Sequence, residues 1–128
     1  MAISYERNDS RRRMVVTLKG AFQTDDVLAI MARQRVEHTW TYGILYDLRG
    51  MTGQPTFADL GQIMSQAAAR RQGEGPHGPV ALLATEPTLY RRLCKYAALG
   101  RSTRLTIEVF RRWDEAQQWL TVKLKGSS

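Results

Sequence analysis

From Tyr42 to Leu120 the chain alternates between short strand-like runs and stretches with helical spacing, and this alternation restricts the possible folds more than any other feature. Ile44-Leu45-Tyr46 within Tyr42–Leu48, and the run Pro79–Thr85, are apolar on consecutive positions. Such a strand has no wet face, so both sides must be covered, as in a parallel sheet. Between these runs, Phe57, Leu60, Ile63, Met64 and Ala67 recur at helical spacing, as do Leu89, Tyr90, Leu93, Tyr96 and Ala97. Strands alternating with helices imply right-handed crossovers around one mostly parallel sheet.

The remaining elements extend this pattern. Ile3–Glu6 and Met14–Lys19 predict an opening antiparallel hairpin around the turn-forming Asn8-Asp9-Ser10, with Gly20 closing it. Thr24 is read as the N-cap of a helix that carries Asp25 and Asp26 in its first turn, buries Val27, Ile30 and Met31, and ends near Glu37. Gly50–Pro55 reads as a loop, Thr56 as the cap of the next helix with Asp59 three positions on, and Gln72–Gly78 as a surface loop. Pro87 suits the first turn of a third helix that Gly100 stops. Leu105–Phe110 alternates like an edge strand, and Asp114 with Gln117 reads as a capping box for a last helix bearing Ala116, Trp119 and Leu120. The expected fold is α/β: an opening β-hairpin, then βαβαβα, in a mostly parallel five-stranded sheet with about four helices. Residues 1–122 form one domain and 123–128 a polar tail. If consecutive strands are neighbours, the helices gather on one sheet face, and the other needs cover from a terminal element, a partner subunit or a ligand.

Composition excludes several classes. At 128 residues and 14.6 kDa the chain holds one core. One cysteine, Cys94, rules out an internal disulfide framework and a multi-cysteine zinc site. No apolar run of about 18 residues is present, and Met1–Arg13 is arginine-rich rather than a leader, so the expected location is the cytoplasm. The formal charge of +7 promotes nonspecific attraction to polyanions, but its arginine clusters are scattered and no nucleic-acid reading motif is present.

The segment Gly43-Ile44-Leu45-Tyr46-Asp47-Leu48-Arg49-Gly50, followed by a helix opening at Phe57, resembles the central strand and loop of SpoIIAA-like proteins, relatives of the STAS domains. Pro79-Val80-Ala81-Leu82-Leu83-Ala84, Tyr90, and the ending from Val109-Phe110-Arg111 through Glu115-Ala116 to Trp119-Leu120 extend the resemblance over residues 2–121. It implies a small α/β fold shared with anti-anti-sigma factors and with lipid-binding CRAL-TRIO domains, and no enzymatic activity. In the anti-anti-sigma branch an Asp-Ser-Ser-Gly motif after the central strand carries a regulatory phosphoserine. Here the matching loop reads Arg49-Gly50-Met51-Thr52-Gly53-Gln54-Pro55-Thr56, which leaves Thr52 and Thr56 as its hydroxyls. Capping is the simpler role for Thr56.

The individual sites divide by what surrounds them. Asp47, at the end of the central strand, stands where open α/β sheets bind ligands, yet no second carboxylate pairs with it for acid–base work. His38 and His77 are isolated and Cys94 has no activating neighbour, so neither metal, cofactor nor catalysis is expected. Gly73–Gly78 is glycine-rich but precedes a strand, unlike a phosphate loop. Three sets remain. Asp47, Arg49, Thr52 and Thr56 form an interaction loop. Phe57, Leu60, Met64, Leu89, Tyr90 and Leu93, with Tyr96, can line an apolar pocket. Arg70, Arg71, Arg91, Arg92 and Lys95 can meet anions. The leading expectation is a non-catalytic, regulatory protein-interaction module with a protein partner, in the form of a homodimer through a sheet face or edge. A carrier of a small hydrophobic or lipid ligand is the second, and nonspecific polyanion binding the third.

Overall fold

Residues 2–102 and 104–126 are described by the computed structural model. The elements run β1 (Ala2–Asn8), β2 (Arg13–Ala21), α1 (Thr24–Val36), β3 (Gly43–Thr52), α2 (Phe57–Glu74), β4 (Val80–Leu83), α3 (Pro87–Ser102), β5 (Ile107–Phe110) and α4 (Trp113–Gly126). The five strands lie in sequence order, β1 antiparallel to β2 and every later pair parallel. This is the α/β architecture read from the alternation of runs.

Strand parity sorts the side chains onto two faces. Met14, Val16 and Leu18 of β2, Ile44, Tyr46 and Leu48 of β3, and Val80 and Leu82 of β4 face α1, α2 and α3 in the larger core. Leu45, Ala81 and Leu83 face the other way and meet Ala116 and Leu120 of α4. The open sheet face is therefore closed by the terminal helix, over β3, β4 and β5. Beside α4, over β1 and β2, remains an open groove of about 670 Å³ that includes Glu6, Arg11, Val15, Trp113 and Gln118.

Several boundaries differ from the sequence reading, each for a tertiary reason. β3 runs on to Thr52 because Gly50, Met51 and Thr52, expected in a loop, pair with Lys19, Gly20 and Ala21 beyond a register shift in β2. The N-cap of α1 is Gln23, not Thr24. Thr24 is the first helical residue, and its hydroxyl donates to Asp59 Oδ1 at 3.1 Å, tying α1 to α2. Gly100 does not stop α3, which continues to Ser102. A Cβ at Gly100 would lie 3.0 Å from Ile107 Cγ2, so this glycine lets α3 lie close to β5. Asp114 and Gln117 form no capping box, since α4 already begins at Trp113. Arg112 holds Asp114 at 3.4 Å, and Gln117 accepts from Arg13. The α4 helix extends through residues 123–126, most of the expected tail; 127 and 128 lie outside the described residues.

Candidate functional site

The C-terminal end of β3 and the start of α2 form a fixed corner. After β3, Gly53 turns the chain at a φ of 72°, a left-handed backbone that favours glycine. Thr56 then caps α2 in a reciprocal box: its hydroxyl accepts from Asp59 N at 3.0 Å, and its own N–H donates to Asp59 Oδ2 at 2.9 Å. These bonds hold the Asp59 carboxyl below its ordinary pKa. Two further bonds tie the corner to α3. Arg92 Nη1 donates to Pro55 O at 2.6 Å, and Gln54 Nε2 donates to Glu86 Oε2 at 3.0 Å. Glu86 itself caps α3 by accepting from Leu89 N at 2.7 Å and Thr88 N at 3.0 Å.

On this corner stands Phe57, 54% exposed, with the Arg92 guanidinium 5.4 Å from its ring centre. A large aromatic left in water on a pinned backbone loses little further freedom on contact with a partner. Sequence spacing assigned Phe57 to an inner pocket with Leu60. Position separates them: Phe57, the first residue of α2, stays in solvent, while Leu60 is buried in the core.

Asp47 lies within β3 rather than in a loop, and it is buried. Its Oδ1 accepts from Arg49 Nε at 3.0 Å and Arg49 N at 3.2 Å, and its Oδ2 accepts from Arg49 Nη2 at 2.9 Å. Burial opposes ionisation, but the Arg49 bonds and the field of Lys19 outweigh it and hold the carboxyl below its ordinary value. Asp47 is thus occupied by its own strand. The Arg49 guanidinium lies 5.7 Å from the Trp113 ring centre, so this pair braces the start of α4. Of the expected interaction loop, then, Thr52 and Thr56 are exposed at the corner, and Asp47 with Arg49 belongs to the opposite, α4 face.

The expected apolar set also divides. Leu60 and Leu93 line a cavity of about 80 Å³ between the sheet and the first three helices, together with Tyr46, Leu82 and Tyr96. Phe57, Met64, Leu89 and Tyr90 do not line it. Tyr90 sits at the rim of the core under Arg111, whose guanidinium is 4.1 Å from its ring centre. The basic set is not one site either. Arg91, Arg92 and Lys95 lie in the first nine residues of α3, whereas Arg70 and Arg71 lie near the end of α2, about 20 Å along that helix from Phe57.

His77 and the glycine-rich segment are structural, and the segment is less superficial than its composition implied. Gly78 passes so close to the Thr41 and Tyr42 carbonyls that no side chain fits there. His77 is packed edge-on against Trp40, with ring centres 4.3 Å apart, and burial pushes its pKa down. Among the described residues, no three His, Cys, Asp or Glu gather to hold a metal ion, and no helix is long and apolar enough to cross a membrane. One residue that the sequence reading left in an N-terminal basic cluster is Arg13. It is 8% exposed, donates to Gln117 and Thr121 of α4, and has its Nε buried without a partner. Strand parity carried that signal, since residue 13 shares a face with Val15 rather than with Met14.

No family model and no curated protein matches the sequence. Among solved structures, the chain is similar to the crystal structure of an anti-sigma factor antagonist from Mycobacterium paratuberculosis. The match has a TM-score of 0.56 and 16% identity, and spans 93% of this chain and 94% of that one. The two share a fold, which is the SpoIIAA/STAS-like architecture implied by the sequence resemblance.

Proposed function

We propose that the chain is a non-catalytic regulatory module that docks a protein partner through the corner formed by Thr52, Thr56 and Phe57 at the start of α2. The observation that carries this reading is Phe57: a solvent-exposed aromatic ring on a backbone already fixed by the α2 capping box, Arg92 and Gln54. Aromatic anchors flanked by arginine are where binding energy concentrates in protein interfaces. The shared fold with an anti-sigma factor antagonist supports a partner-switching role of the same general kind. Asp47, the carboxylate best placed for chemistry by its strand position, is consumed by Arg49, and this favours docking over turnover.

The test compares tagged wild type, Phe57→Asp and Val122→Asp, expressed in the cell that makes the protein. Val122 is equally exposed, at 59%, but lies on α4. The expected result is a stoichiometric partner whose affinity falls about 30-fold or more in Phe57→Asp and is unchanged in Val122→Asp, with both variants melting like wild type. Equal retention by the two variants removes the corner from consideration.

A further inference from the structure

Among the described residues two charged side chains are buried, and only one of them is compensated. Asp47 has Arg49. Arg13, at 8% exposure, has no carboxylate. Its Nη1 and Nη2 donate to Gln117 Oε1 and Thr121 Oγ1, both neutral acceptors on α4, and its Nε is buried without an acceptor. Burial, and then the like charge of Arg11, push the guanidinium's pKa down. A buried charge is costly unless an opposite charge stands beside it, so the fold leaves this cation short of one anion.

The surroundings say which anion. Arg13 lines the open groove of about 670 Å³ beside α4, over β1 and β2, a volume typical of small-molecule sites. Its Nε is too deep to be touched there, but a negative charge in the groove acts on the whole guanidinium. On the same wall Arg7 is already engaged by Asp9 and Glu37. Arg11 and Glu6 make no ion pair among the described residues, and Glu6 stands opposite Val15 in the β1–β2 register. Two cations against one acid leave a single net positive charge, which suits a monoanion better than a dianion. Beside these charges Val15 and the 39% exposed Trp113 offer apolar surface.

We propose that this groove binds a small organic monoanion, a carboxylate with a compact apolar body. The carboxylate lies against Arg13 and Arg11, and the body rests on Val15 and Trp113. The site shares no residue with the docking corner, so the two stand or fall separately.

The full chain, labelled with ¹⁵N, is titrated with benzoate at fixed ionic strength and followed by its amide and arginine Nε–H signals. Saturable shifts centred on Val15, Trp113, Gln117 and the Arg13 Nε–H are expected. Benzamide, the same shape without the charge, binds about tenfold more weakly, and inorganic phosphate at about pH 8, a dianion, binds no more tightly than benzoate. Glu6→Gln, at an exposed position, tightens benzoate about threefold, and Arg13→Gln weakens it about tenfold. Arg13 also tethers α4; if Arg13→Gln fails to fold, Arg11→Gln carries the loss, at about threefold. Shifts that stay linear overturn the proposal, as does benzamide binding as tightly as benzoate, phosphate binding more tightly, or an affinity that ignores Glu6→Gln and Arg11→Gln. Shifts centred on Arg91, Arg92 and Lys95 overturn it too, since they report only the attraction of a +7 chain for anions.

Discussion

The two faces of the sheet are packed by different rules. On the α4 face a small cluster, Leu45, Ala81, Leu83, Ala116 and Leu120, is fully closed, every member at 0% exposure, with Val15, Phe110 and Trp119 packed against it. On the opposite face a much larger set of side chains from three helices leaves a cavity lined by Leu18, Leu60, Leu82 and Leu93. One helix can lie flush along a twisted sheet with small residues at the contact. Three helices crossing the same sheet must also fit one another, and α2 approaches α1 more closely than it approaches α3. The void opens where these requirements conflict. The tight face is closely packed, and the looser face keeps an open cavity.

The contrast is strongest at Leu120, whose removal leaves a void in a cluster that cannot collapse. Leu120→Ala should cost about 3–4 kcal/mol in denaturant-induced unfolding. A result below about 1.5 kcal/mol would mean that the α4 face is as yielding as the other. Adding volume gives the opposite signs on the two faces. Ala116→Val, at 0% exposure, should overpack α4 and cost about 1–3 kcal/mol, while Ala67→Val, on the cavity wall, should be neutral or stabilise by up to about 1 kcal/mol. Equal losses at both positions would erase the difference.

Acid sharpens the comparison through Asp47. Its folded pKa lies below the ordinary 3.8, so its contribution is complete above that value and is lost as the pH falls through 3.8 toward the folded value. Asp47→Asn should therefore cost about 1 kcal/mol at neutral pH and progressively less in acid, which paired melts across that range will show. The smallest effect is expected at Tyr96 on the looser face, where Tyr96→Phe should change stability by less than about 1 kcal/mol, read from the same unfolding curves.

Element order, the parallel sheet and both core faces were legible in the chain because consecutive apolar positions and helical stripes are local patterns. The capping box at Thr56 was legible for the same reason, since Thr56 and Asp59 are three residues apart. The misreadings share one cause. Thr24 is a good cap by type, yet Asp59 of another helix takes its hydroxyl. Gly50–Thr52 looks like loop until β2 pairs with it, and Gly100 looks like a stop until β5 packs against it. Of the candidate sites, Phe57 was singled out by its chemistry and misplaced by its spacing. Helical periodicity identifies a stripe but not where along the helix the sheet ends.

Sequence alone determined the βαβ alternation, the sheet's apolar strands and the hydroxyl that starts α2, because each is written within a few consecutive residues. Only the tertiary structure decided that α4 closes the second face, that Phe57 remains outside, and that Tyr46 and Tyr96 line the same cavity. Those outcomes depend on how whole helices seat against a twisted sheet, and distances between side chains 50 residues apart are not encoded in any local period.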